Sequence, residues 1–123
     1  MKIATALLSL CAATAAIAQT GPTEFPAGAT VLTAAALQDL VVGKVYSVKL
    51  PNGVSWRMEY KAGGAYFFKS SRGLDTSGKW SIQEGKVCTE GEKLAPSCNE
   101  VRKLGDALLL KRDNGEIVTM TVQ

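Results

Sequence analysis

The chain has 123 residues, of which 46% are hydrophobic and 20% charged, and its formal net charge is +3. This length predicts one domain. A net charge so close to neutral argues against general electrostatic binding of nucleic acid. Histidine is absent, which excludes the usual Ser-His and Cys-His catalytic pairs and removes a common metal ligand. We therefore expect no enzyme, no cofactor and no metal.

The first 18 residues have the pattern of a secretory signal peptide. Lys2 supplies the positive charge, the stretch from Ile3 to Ile17 is apolar or small throughout, and Ala18 ends a small-residue cleavage motif. We expect cleavage between Ala18 and Gln19. The mature protein would then be periplasmic or secreted, with a net charge near +2 and no transmembrane segment.

Cleavage would also change the cysteine count. It would remove Cys11 and leave Cys88 and Cys98. In an exported protein an even pair predicts a disulfide bond. The alternative for Cys11 is a lipid anchor, which Leu10 disfavours because it is bulky where a lipobox needs a small residue.

Residues 19–31 are rich in Gly, Pro, Thr and Ala, and predict a flexible lead-in to a single domain over residues 32–123. That domain opens with a short helix. Thr33 can cap its start, good helix formers follow, and Gly43 can end it.

After the helix the hydrophobic period changes to two. The segments "KVYSVKL" and "VSWRMEYK" alternate in polarity, as half-buried antiparallel strands do. A three-residue turn, Pro51-Asn52-Gly53, pairs Leu50 with Val54 and keeps one face apolar. A two-residue turn would mix the faces, so we predict the longer turn with Gly53 in the left-handed conformation.

The same test applies near the C-terminus. With Asp113-Asn114-Gly115 as the turn, Leu110 pairs with Val118 and Arg112 lies opposite Glu116. One face again stays apolar, which predicts a second hairpin of the same kind.

Further alternating segments lie between these hairpins, joined by short connections that favour sequential antiparallel pairing. The fold class we predict is mostly β, an about eight-stranded antiparallel meander that closes into a small lipocalin-like barrel, with one short N-terminal helix. The main alternative is an open, curved sheet with the helix across it. We expect a monomer.

The segment "GLDTSGKW" matches most of a nucleotide-binding P-loop. Trp80, however, stands where the motif needs a magnesium-binding hydroxyl, and the residues that follow alternate like a strand rather than a helix. We therefore interpret residues 70–79 as an exposed basic loop. Its candidate contacts with a protein or envelope component are Arg72, Asp75, Ser77 and Lys79. A non-enzymatic binding module is our first functional hypothesis.

Five aromatic residues are concentrated in three adjacent strands, namely Trp56, Tyr60, Tyr66, Phe68 and Trp80. In a barrel of eight strands, such side chains either fill the core or line a pocket for a small apolar ligand. A small-molecule carrier is therefore our second hypothesis.

The helix "LTAAALQDLVVGKVY", the aromatic hairpin "VSWRMEYKAGGAYFF" and the strand "SGKWSIQEGKVC" with a second Cys ten residues later form a combined pattern. It resembles small exported proteins of Gram-negative bacteria, particularly alphaproteobacteria, that belong to domain families of unknown function. The resemblance covers roughly residues 32–120. It implies an exported antiparallel β-barrel and no catalytic residue.

Two other exported barrel families are similar in part. Lipocalins carry a G-x-W motif on their first strand, whereas Gly78-Lys79-Trp80 lies on about the fourth. Periplasmic lysozyme inhibitors present a loop with Ser and Lys or Arg, a part that "SSRGLDTSGK" could play. An inhibitor of a lytic enzyme is our third hypothesis.

Overall fold

The structure is a computed structural model that describes residues 21–123. The predicted signal peptide and its cleavage site lie outside the described residues. The regular elements are β1 (Thr30–Val31), α1 (Ala34–Val41), β2 (Val45–Lys49), β3 (Ser55–Tyr60), β4 (Ala65–Ser70), β5 (Asp75–Gln83), β6 (Lys86–Gly91), β7 (Ser97–Leu104), β8 (Ala107–Lys111) and β9 (Ile117–Val122).

Strands β2 to β9 form a closed eight-stranded antiparallel barrel. Each strand pairs with the next along the chain, and β9 returns to β2 through the pairs Tyr46–Val122 and Ser47–Thr121. Strand β1 is an addition that pairs with β7. The predicted meander barrel is confirmed, and the open-sheet alternative is wrong because the β2–β9 pairing leaves these eight strands without a free edge.

Both predicted turns are confirmed. In the first, Val48 pairs with Trp56, the Leu50 amide donates to the Val54 carbonyl at 2.8 Å, and Gly53 has φ +89°. In the second, Leu110 pairs with Val118. Turn length could be predicted because each strand of the barrel has one solvent-facing side and one buried side. A shift of the pairing by one residue would exchange these two sides.

The predicted helix closes one end of the barrel. The Thr33 hydroxyl accepts a hydrogen bond from the Ala36 amide at 3.2 Å, as an N-cap does. Leu37 and Val41 are fully buried in the core, and the chain returns to the barrel through a 2.7 Å bond from the Gly43 amide to the Tyr60 carbonyl. We call this the closed end and the opposite end the mouth.

The lead-in has a defined course between Gly21 and Val31. The Pro22 carbonyl accepts from the Ile117 amide at 2.7 Å, and the Phe25 ring stacks on the Arg102 guanidinium at 4.5 Å. The sequence predicts a flexible lead-in here because Gly and Pro are frequent. In the structure, residues 21–31 contact the outer wall at β7 and β9, and the flexibility of the lead-in stays a prediction.

The two remaining cysteines lie opposite each other on β6 and β7. The Cys88 and Cys98 sulfurs are 2.10 Å apart, at bonding distance, so the predicted pairing is confirmed. Their neighbours Val87 and Thr89 line the interior, so the disulfide lies on the outer wall.

Two glycines make room for one aromatic ring in the closed half. A Cβ atom on Gly78 would come within 2.7 Å of a Tyr66 ring carbon, and the Tyr66 hydroxyl lies against Gly91. Gly78 lies within β5 and not in an exposed loop. Its role is to admit Tyr66, whose buried hydroxyl has no hydrogen-bond partner among residues 21–123.

Replacing the two tyrosine hydroxyls should have opposite effects on stability. An unpartnered buried hydroxyl costs about 1–3 kcal/mol, so Tyr66→Phe should raise the free energy of unfolding by about 1 kcal/mol. Tyr46→Phe is the matched control, since its hydroxyl donates to the Leu40 carbonyl, and it should lower stability by about the same amount. Urea denaturation measures both. Equal losses in the two variants would contradict this assignment.

Removing the disulfide should destabilise the barrel. Because the cross-link constrains the unfolded chain, Cys88→Ala/Cys98→Ala should lower the free energy of unfolding by about 2–3 kcal/mol. The oxidised wild type is compared with the reduced wild type and the double variant in urea. The last two should agree, and an unchanged midpoint in both would disprove the contribution.

Candidate functional site

The barrel interior is filled at one end and hollow at the other. Beside the helix, Leu37, Val41, Tyr66 and Val101 pack together without exposure to solvent beyond 1%. Towards the mouth the inward side chains line a cavity of about 490 Å³. Pockets for small molecules range from about 300 to 1,000 Å³, so this cavity can hold one.

Four hairpins surround the mouth. They connect β2 to β3, β4 to β5, β6 to β7, and β8 to β9, because every second connection of an up-and-down barrel lies at the same end. Each of them contributes to the cavity lining, through Leu50, Leu74, Leu94 and Asn114 respectively. Access to the interior is therefore controlled by hairpin loops, while the opposite end is covered by the helix.

Most of the cavity wall is apolar and aromatic. Trp56 packs against Phe68, with ring centroids 6.3 Å apart. Deeper in the barrel, Tyr60 makes edge contacts with Tyr46 at 6.3 Å and with Trp80 at 5.6 Å. Aliphatic members of the same wall include Val48, Met58, Leu110 and Met120. A ligand in the cavity would mainly exchange water for apolar contact.

The five aromatic residues predicted from the sequence divide between two roles. Trp56, Tyr60 and Phe68 line the cavity. Tyr66 and Trp80 belong to the filled core, where the Trp80 indole N–H donates to the Lys61 carbonyl at 2.9 Å. The two roles expected from the sequence are therefore both present: three of the aromatic residues line the cavity and two fill the core.

One side of the mouth is polar. Arg112 lies over the Trp56 ring at 5.2 Å, and its Nη1 is 3.4 Å from the Glu116 carboxylate. Asp113 and Asn99 lie beside it in the lining. The cavity thus has an apolar body and a polar rim, an arrangement that suits an amphipathic molecule.

The three tyrosines in and beside the cavity wall stay uncharged. Burial raises the pKa of Tyr46 and of Tyr66, and raises that of Tyr60 most, with the nearby Tyr46 phenol adding to the effect. All three phenols are therefore neutral at physiological pH, and the charged groups of the cavity are confined to its rim.

The polar rim was not found from the sequence, although a signal for it exists. Leu108 and Leu110 alternate along β8, where they pair with the interior residues Met120 and Val118, and Arg112 follows just beyond the end of the strand. Since every second residue faces the interior, the next such residue, Arg112, is placed at the rim. The hydrophobic pattern alone does not show it, because the interior becomes polar where it meets water.

The predicted partner loop is much shorter than expected. Asp75, Ser77 and Lys79 lie on the outer face of β5, and only Arg72 lies in the turn between β4 and β5. The loop assignment for residues 70–79 is wrong because this polar stretch pairs with β4 on one side and, from residue 78 onward, with β6 on the other. The four residue steps from Asp75 to Lys79 span about 13 Å. Whether these residues contact a partner remains a prediction.

Searches of protein-family models, of curated proteins and of solved structures return no match for this chain. The resemblance to exported bacterial barrels therefore stays a prediction. Among residues 21–123 no helix is long and apolar enough to cross a membrane, and these residues contain no cluster of three metal-ligating side chains.

The raised phenol pKa of Tyr60 predicts a loss of stability in alkali. In the unfolded chain a tyrosine titrates near pH 10, so the contribution of neutral Tyr60 is complete below that pH and is lost as the pH rises above it. Wild type should lose about 1 kcal/mol more than Tyr60→Phe between about pH 9 and pH 11. Urea denaturation at each pH measures the difference. Parallel pH profiles would contradict it.

Proposed function

We propose that this protein is a non-enzymatic binding protein that takes up a small, mainly apolar molecule in the barrel cavity. The observation that carries the proposal is the 490 Å³ space itself, lined by Trp56, Phe68, Met58 and other apolar groups. Protein interiors are normally close-packed, with few voids larger than a water molecule. A cavity of this size that opens between four hairpins is therefore consistent with storage or transport of a ligand.

The size of the hydrophobic contribution supports useful affinity. A ligand that buries about 300 Å² of apolar surface gains about 7 kcal/mol from leaving water. Part of this is offset by the lost motion of the ligand, so we expect dissociation constants above about 10 μM for simple apolar probes. The rigid aromatic walls should reduce the ordering cost further.

We further propose that the protein acts outside the cytoplasm, in the periplasm or as a secreted protein. The disulfide between Cys88 and Cys98 is compatible with an oxidising compartment. The signal-peptide pattern of the first 18 residues supports the same location.

The cavity is better supported than the two hypotheses that depend on a partner loop. Binding of an envelope component and inhibition of a lytic enzyme both rely on an exposed loop over residues 70–79. Most of that stretch is a strand whose side chains alternate between the two faces of the wall. No grouping of Arg72 with Lys79 remains to favour either of them.

Binding can be tested with N-phenyl-1-naphthylamine, a neutral apolar fluorophore whose emission rises in apolar surroundings. We expect saturable binding by wild type. Met58→Trp places a larger side chain inside the cavity and should weaken binding about tenfold or more, because probe and indole compete for the same space.

The matched control is Phe67→Trp. Phe67 is on the adjacent strand, points outward and is 50% exposed, so this variant should bind like wild type. Circular dichroism establishes that both variants are folded. Absence of saturable binding by wild type, or equal binding by a folded Met58→Trp variant, would refute uptake into the cavity.

A further inference from the structure

We infer that the molecule bound in the cavity presents a hydrogen-bond donor to the mouth, as a hydroxyl or an amine, and that the site discriminates against carboxylates. This inference rests on the proposed function and concerns the chemistry of the ligand's polar end. It follows from the direction of each hydrogen bond along the polar side of the rim.

The amide of Asn99 has both of its N–H groups occupied. Its Nδ2 donates to the Lys111 carbonyl at 3.0 Å and to Asp113 Oδ1 at 2.8 Å. Both partners can only accept, so the orientation of the amide is fixed with its oxygen towards Ser97. Neither amide hydrogen is left for a ligand.

The two hydroxyls of the same wall are also committed as donors. Ser97 Oγ donates its single hydrogen to Asn99 Oδ1 at 3.1 Å. The 3.3 Å bond between Thr89 Oγ1 and Ser97 Oγ must therefore use the hydrogen of Thr89. Every hydrogen that the side chains of Thr89, Ser97 and Asn99 can donate is therefore used inside the network.

This network offers the cavity only acceptors, whereas the donor groups of the lining outside it include those of Arg112, Ser70 and Asn114. The Thr89 and Ser97 oxygens keep lone pairs, and Asp113 keeps its second carboxylate oxygen, Oδ2, to which no donor among residues 21–123 is hydrogen-bonded. All three residues line the cavity. A ligand can satisfy this wall only by donating hydrogen bonds to it, which an ionised carboxylate cannot do.

The charges of the lining favour the same chemistry. Arg112 and Asp113 are the charged residues among those that line the cavity. The Arg112 cation is already balanced by Glu116, at 3.4 Å, whereas no cation pairs with the carboxylate of Asp113 within residues 21–123. A ligand carboxylate would therefore meet an unbalanced negative charge, and an ammonium group would meet an attractive one.

The other charges near the mouth lie farther out. Arg72, Glu92 and Lys93 are on the hairpins but outside the cavity lining. Their side chains are exposed, as is that of Asp113, so salt screens all four charges. The head groups are therefore compared at low ionic strength, where the charge of Asp113 is screened least.

The test uses three ligands that share one alkyl chain and differ in the head group, namely 1-dodecanol, dodecylamine and dodecanoate. Each displaces N-phenyl-1-naphthylamine from wild type at neutral pH, below its micelle concentration. The alcohol and the amine should displace the probe at concentrations at least about fivefold lower than dodecanoate, since a rim interaction of this kind contributes about 1 kcal/mol.

Asp113→Asn separates the charge from the shape of the site. The asparagine oxygen can still accept from Asn99, so the network is kept, but the negative charge is removed. This variant should strengthen dodecanoate and weaken dodecylamine, each about threefold to tenfold. Asp106→Asn is the matched control in the turn between β7 and β8, at the closed end, and should leave all three values unchanged.

The two levels of the proposal fail in different ways. If dodecanoate binds best, or if Asp113→Asn leaves the affinity ratio of dodecylamine to dodecanoate unchanged while the probe still binds, the inference about the head group is overturned and the cavity stands. If neither the probe nor any of the three ligands binds to wild type, the proposed function fails, and this inference fails with it.

Discussion

The pairing of β2 with β9 is the contact on which the rest of the structure depends. It has few backbone pairs, from Tyr46–Val122 to the 2.9 Å bond between the Gln123 amide and the Val45 carbonyl. It nevertheless turns a meander with two free edges into a closed wall. Once the wall is closed, inward residues face one another across the barrel rather than water, so a core and a cavity become possible. The apolar side chains on either side of the seam, such as Val48 and Met120, are both buried and stabilise the closure.

The same wall yields a packed core at one end and a cavity at the other because the helix enters the barrel at one end. Near the helix, glycines at positions 78 and 91 admit the ring of Tyr66, and Trp80 and Leu37 occupy the remaining space. Towards the mouth the wall also carries large rings, those of Trp56 and Phe68, but no helix among residues 21–123 enters from that side. The packed half gives the barrel its rigidity, and the open half can therefore remain hollow without collapse.

The fold was largely predictable from the sequence, whereas the site was not. Alternation and turn residues determine the strands and their register, as the pairing of Leu50 with Val54 shows. The first half of β5 escaped the prediction because Asp75 and its polar neighbours have low strand propensity, and it is held by pairing with β4 and, from residue 78 onward, with β6. The cavity depends on the curvature of the sheet and on the distances between opposite walls of the barrel. A local sequence pattern indicates neither of them. The polar rim was not predicted because Arg112 follows two inward-facing leucines, Leu108 and Leu110, and a charged residue is not expected at the next inward position.

The course of the lead-in gives the barrel a direction relative to anything that is joined to it. Gly21 lies beside Glu116 at the mouth, whereas Gln123 bonds to Val45 at the closed end. A barrel tethered to a surface through Gln123 would hold its opening away from that surface. One tethered through the residues before Gly21 would hold its opening close to the point of attachment. The choice of tether therefore decides whether the cavity exchanges its contents with the bulk solvent or with the surface beneath it.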